Sequence, residues 1–221
     1  MPIVFSMKLD GSNAIRKQHY PIVMFYLSHA YFSAFKSVRA KSNEKAFNES
    51  MLAIIFSAMC LESFVNERAE NVVSSEEIDD FLHLRKKYIK NKGEHAVVVK
   101  LTRIFNLAHA QTLPSDLIDD CIALFELRNS LVHYKLEETA MKIMLPPAKI
   151  EDNALTIDFM QQPIAIEAPL IAKINPLNAS KGYNAARKVI QLWNNAVGAP
   201  PASIAKFKEC KLQKNTLLVR N

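Results

Sequence analysis

Arginine, asparagine and histidine stand within one short stretch, R-N-S-L-V-H (128–133). An imidazole with an unperturbed pKa near about 6.5 can take up or release a proton close to neutrality. A guanidinium presents a rigid fork of N–H donors suited to an anionic oxygen. The stretch lies in an amphipathic segment, SDLIDDCIALFELRNSLVHYK (115–135), which follows Pro114 and is read as a helix. At about 100° per residue, Cys121, Leu124, Phe125, Leu131 and Val132 share one face, and Arg128 falls near its centre. Asp119, Glu126 and Ser130 lie opposite. Arg128 is therefore expected to point inward or into a contact with another chain, where an unpaired guanidinium costs several kcal/mol.

A second polar group sits out of place. Between Glu49 and Glu67 the only charge is Glu62, in the run AIIFSAMCLESFVNERA (53–69), with Asn66 one turn later on the same face. A carboxylate in the central helix of a bundle calls for a cation, and Arg128 is a cation calling for a carboxylate. Pairing them would offset the desolvation of both. Arg128 and His133 are separated by roughly 140° around the axis and about 7.5 Å along it, so they do not share a face.

These residues need a frame of helices. The 221 residues, 49% hydrophobic and 23% charged, suit one well-buried domain. With only four glycines, most long segments repeat at helical spacing. Helices are expected over 21–40, over 44–70 capped by Asn43, over 76–90 capped by Ser75, over 94–110 and over 180–197 stopped by Gly198. MKIML (141–145), ALTIDFM (154–160) and PIAIE (163–167) alternate or carry β-branched residues, so a small β-hairpin insertion is expected near 140–167. The fold class is mainly α. Residues 1–200 form one helical domain interrupted at 139–178, and 201–221 form a basic, flexible tail.

The net charge of +6 is concentrated in HLRKKYIKNK (83–92) and KFKECKLQK (206–214), and suits a polyanionic partner as well as it suits solvated helix faces. The longest apolar run, MLAIIFSAMCL (51–61), is too short to span a bilayer, and the N-terminus lacks a signal-peptide pattern. Cys60, Cys121 and Cys210 form no zinc or disulfide framework, and Cys60 and Cys121 look like core residues. His19, His29, His83, His95 and His109 have no partners at metal-site spacing. A cytoplasmic protein without metal, cofactor or membrane is expected.

The R-x4-H pattern at 128–133, followed on the polar side by Asn129 and preceded by the acid-containing helix 53–69, resembles the HEPN superfamily of compact α-helical bundles. The resemblance covers about residues 20–197, with the hairpin as an insertion. It implies a metal-independent endoribonuclease in which the ribose 2′-OH attacks the adjacent phosphorus. His133 would move the proton, Arg128 would stabilise the transition-state charge, and Asn129 would orient the phosphate or the imidazole. Glu62, Asn66 and Tyr134 would be supporting residues. The resemblance further implies a homodimer with a composite cleft, a toxin or antiviral-defence role, RNA as partner, and a separate antitoxin or activator protein. HEPN toxins paired with nucleotidyltransferases often carry tyrosine two residues after the histidine. Here Tyr134 follows directly and Lys135 takes the next position, so that regulation is not implied. The alternatives are a catalytically silent HEPN-like module binding RNA or a protein, and a plain helical interaction protein in which Arg128–Glu62 is only a salt bridge.

Overall fold

The structure is a computed structural model that describes residues 4–10, 13–19, 22–83, 95–110, 112–132, 149–151, 154–156, 169–198 and 202–217. It is mainly helical. Helices α1 (Ile22–Val38), α2 (Asn43–Val72), α3 (Ile78–Leu82), α4 (Ala96–Leu107) and α5 (Ser115–Val132) precede α6 (Pro169–Lys173), α7 (Pro176–Ala196) and α8 (Ala202–Ala205). The central helix is α2, which packs against α1, α4, α5 and α7. Small residues allow the close approach: Ala30 and Ala34 of α1 and Ala53 and Ala58 of α2 are fully buried. The serines buried among them donate to their own helices, Ser50 to the Ala46 carbonyl and Ser57 to that of Ala53, both at 2.6 Å. These bonds satisfy both hydroxyls inside the bundle.

Aromatic packing ties the remaining helices to this centre. Trp193 of α7 meets Phe64 of α2 and Phe105 of α4 edge-on, at 5.8 and 5.3 Å between ring centroids. That contact fixes α4 beside α2 and so sets where the N-terminus of α4 falls. By length and composition α2 could cross a membrane, but half of its most apolar window is buried inside the bundle.

Several boundaries differ from the sequence expectation. Ser42, not Asn43, caps α2, its hydroxyl accepting from the Lys45 amide at 3.3 Å. Helix α3 begins at Ile78 with no side-chain cap, so Ser75 plays no such part; residues 84–94 lie outside the described residues. Helix α7 starts four residues before the expected Ser180, because Asn175 caps it through the Asn178 amide at 3.0 Å and Pro176 takes the first turn. Helix α4 closes on His109, whose φ of 51° is left-handed. The His109 amide donates to Asn106 at 3.1 Å and the Ala110 amide to Phe105 at 2.9 Å, a Schellman closure without the usual glycine.

Two short antiparallel ladders are described by backbone alone. Strands β1 (Val4–Asp10) and β2 (Asn13–His19) pair with Asp10 opposite Asn13, a ladder the sequence reading did not anticipate. Strands β3 (Lys149–Glu151) and β4 (Ala154–Thr156) pair with Glu151 opposite Ala154. Segments 141–145 and 163–167, expected to be strands, lie outside the described residues.

The expected flexible tail is instead docked over residues 204–217. Ile204, Phe207 and Cys210 are buried at a spacing of three, with the intervening residues exposed. Asn184 of α7 binds both backbone groups of Cys210 at 2.8 Å, the Tyr183 hydroxyl donates to the Lys208 carbonyl at 2.7 Å, and Thr216 reaches the Val38 carbonyl at 3.2 Å. These bonds satisfy backbone groups that a loose tail would leave to water.

Candidate functional site

Helix α5 enters the core with Leu117, Cys121, Leu124 and Phe125 and leaves it in its last turn. Leu131 is half-buried and Val132 is 55% exposed, so the apolar face ends earlier than its sequence pattern suggests. Arg128 stands at this exit. Its side chain is 25% exposed and that of its partner Glu62 is 34% exposed, so neither is the fully buried charge the apolar stripe predicts. The Arg128 Nη2 donates to Glu62 Oε2 at 3.3 Å, and Nη1 donates to Asn129 Oδ1 at 3.0 Å.

The chain of polar contacts continues to a residue the sequence reading passed over. Asn129 Nδ2 lies 3.2 Å from Nε2 of His95, the residue that precedes α4. The His95 ring stacks on Phe125 at 4.9 Å and 25° between planes. Phe125 and Asn129 are one turn apart on α5, so the imidazole is held between an apolar ring and an amide. Burial lowers the His95 pKa below its ordinary value; the Glu126 and Glu62 carboxylates oppose that shift and Arg128 adds to it. Lys100, one turn further along α4, is likewise lowered by burial against the pull of Glu62. Its ammonium caps the end of α3 at the Leu82 carbonyl. One carboxylate, Glu62, thus faces two cations from different helices.

The sequence-derived residues fall into three groups. Glu62, Arg128 and Asn129 are brought together. Asn66 is exposed one turn along α2 and takes no part in the hydrogen-bond chain. His133 and Tyr134 lie outside the described residues. A signal for His95 was present in the phase of α4: His95, Val98, Leu101 and Phe105 recur on one face, and the last three are buried.

Beside this cluster a groove of about 740 Å³ runs between α5 and the α6–α7 corner. Asp120, Glu126, Asn129 and Ser130 line one wall, and Lys173 and Lys181 the other. Asn129 therefore belongs both to the Arg128 cluster and to the groove. Among the described residues, no group of three His, Cys, Asp or Glu side chains is placed to hold a metal ion. The thiols are inert core groups: burial pushes Cys121 up to about 12 and raises Cys60 and Cys210 as well. Compared with protein families, curated proteins and solved structures, the chain finds no match.

Proposed function

We propose that the protein is a metal-independent endoribonuclease of HEPN-like construction, acting at the α5 cluster. The observation that carries this reading is the state of Arg128. It is anchored by Glu62 and Asn129 through two of its N–H groups, at the surface end of a core helix. A guanidinium has five N–H donors, so three stay available for an incoming phosphate.

In this reading the ribose 2′-OH attacks the adjacent phosphorus and displaces the 5′-oxygen. Arg128 neutralises charge building on the non-bridging oxygens, in an orientation set before the substrate arrives. Asn129, on the groove wall, contacts the phosphate or aligns the catalytic imidazole. His133 is assigned proton transfer through the R-x4-H resemblance. On the helix expected from the sequence, Arg128 and His133 would diverge by roughly 140°, so the working cleft is assigned to two copies of the motif facing across a two-fold axis. The 140–167 segment is assigned as a β-hairpin insertion in the bundle, Glu62 is a support for Arg128, and Asn66 and Tyr134 are assigned supporting roles through the same resemblance. The protein works in the cytoplasm as a toxin or defence factor held in check, or triggered, by a separate protein.

The chemistry is tested by incubating the full chain with structured and single-stranded RNA in EDTA. The expected products carry 2′,3′-cyclic phosphate and 5′-hydroxyl ends, and a 2′-deoxy substitution at the cleaved position blocks the reaction. RNA that is bound but never cut would replace the enzyme with a silent RNA-binding module.

A further inference from the structure

We infer that His95 is a positioning residue: its neutral imidazole, protonated at Nδ1, accepts at Nε2 from the Asn129 amide and thereby fixes the oxygen that Asn129 presents to Arg128. The direction of each hydrogen bond follows from donor chemistry. Arg128 can only donate, so the Asn129 atom 3.0 Å from Nη1 is the amide oxygen. The amide nitrogen must then face His95, and an NH₂ group 3.2 Å from Nε2 requires a lone pair there. A neutral ring with that lone pair carries its proton on Nδ1. The stack on Phe125 holds the ring plane that makes this contact possible. Nδ1 itself is buried without a hydrogen-bond partner among the described residues, so the ring is held by Phe125 and Asn129.

The arrangement is sensitive to acid. Protonating Nε2 sets N–H against N–H, and flipping the Asn129 amide to relieve this sets NH₂ against the Arg128 donors. Either way one link of the chain is lost. Among the described residues, the charged groups around His95 are Glu62 from α2, Glu126 and Arg128 from α5, and Lys100 on α4 itself beside Glu62. The two carboxylates favour protonation, while burial and Arg128 oppose it, and burial is the larger effect. The folded-state pKa lies below the unfolded one. Stability from this contact is therefore complete above the ordinary imidazole range and is lost as pH falls through the folded value. In cleavage, a role that rests on the ribonuclease reading, protonation of His95 would release Asn129 and with it the aim of Arg128.

The test uses the full chain labelled with ¹⁵N-histidine. Two-bond proton–nitrogen spectra at neutral pH should show His95 with an unprotonated Nε2 and a protonated Nδ1, persisting below the ordinary imidazole titration. The opposite tautomer, or a charged ring at neutral pH, overturns the inference. RNA cleavage supplies the second readout. His95→Phe keeps an aromatic ring for the stack but removes the acceptor, and should lower kcat roughly 10-fold or more at unchanged KM. His95→Gln restores an acceptor and should recover most of that loss. Equal kcat for wild type and His95→Phe overturns the positioning role. If His95→Phe does not fold, the spectrum and the His95→Gln variant decide the question. Absence of cleavage by wild type, with the stated tautomer present, removes the ribonuclease reading and leaves the His95–Asn129 lock supported.

Discussion

Replacing Arg128 with alanine measures how firmly the cluster is held. The guanidinium makes two hydrogen bonds, 3.3 Å to Glu62 and 3.0 Å to Asn129, with a quarter of its side chain exposed. A bond from a charged donor to an amide contributes about 1 kcal/mol net at such a site. An ion pair with both partners in partial contact with water adds about 0.5–1 kcal/mol. The aliphatic stem packed along the helix supplies a few tenths of a kcal/mol more. Arg128→Ala should therefore cost about 2 kcal/mol, short of the roughly 3–5 kcal/mol for breaking a fully buried pair. In a chain of this length the melting temperature falls by about 4–8 °C. Urea unfolding of wild type, Arg128→Ala, Glu62→Gln and the double variant is the assay, with an expected coupling of about 0.5–1 kcal/mol between the two sites. A loss above about 4 kcal/mol would contradict the partly exposed geometry and make Arg128 a structural residue. Zero coupling would mean that Glu62 does not anchor it.

Three further outcomes follow from packing. His109→Gly removes a side chain from a left-handed position and should raise stability by about 0.5–1 kcal/mol in the same unfolding assay; a loss would place the imidazole in an unseen contact. Phe207→Ala should cost about 3 kcal/mol and expose Lys208 and Lys211 to trypsin, whereas unchanged protection would refute docking of this segment. The three buried thiols, all with raised pKa, should react with a thiol reagent only as the protein unfolds; one fast-reacting thiol in the native state would contradict their burial.

The helices were legible in the sequence where apolar residues recur at helical spacing and small residues mark the close contacts, as in α1 and α2. What escaped has particular causes. Asn175-Pro176 is a stronger start signal than Ser180, but the short α6 and the preceding strand-like texture masked it. The tail hides Ile204, Phe207 and Cys210 among lysines, and a spacing of three over seven residues is too short to stand out from a basic tail. The β1–β2 ladder was signalled by F-S-M-K-L-D (5–10), which alternates apolar and polar, and by Gly11-Ser12 as a two-residue turn, but the second segment, N-A-I-R-K-Q-H (13–19), alternates weakly. Within the site, Glu62 and Arg128 declared themselves as charges on apolar stripes. The extent of their exposure did not, because it depends on where α5 leaves the core. His95 escaped because its partner Asn129 is 34 residues away, and the sequence says nothing of how the start of α4 packs against α5.

Arg128 and His133 are the residues proposed to act on RNA, and this assignment has a direct test. Cleavage is timed for wild type, Arg128→Lys and His133→Ala, each first shown to melt near the wild-type temperature. His133→Ala should lose about 10²–10⁴-fold or more in rate, and Arg128→Lys should lose activity while keeping its fold. Cleavage by His133→Ala at the wild-type rate would contradict it.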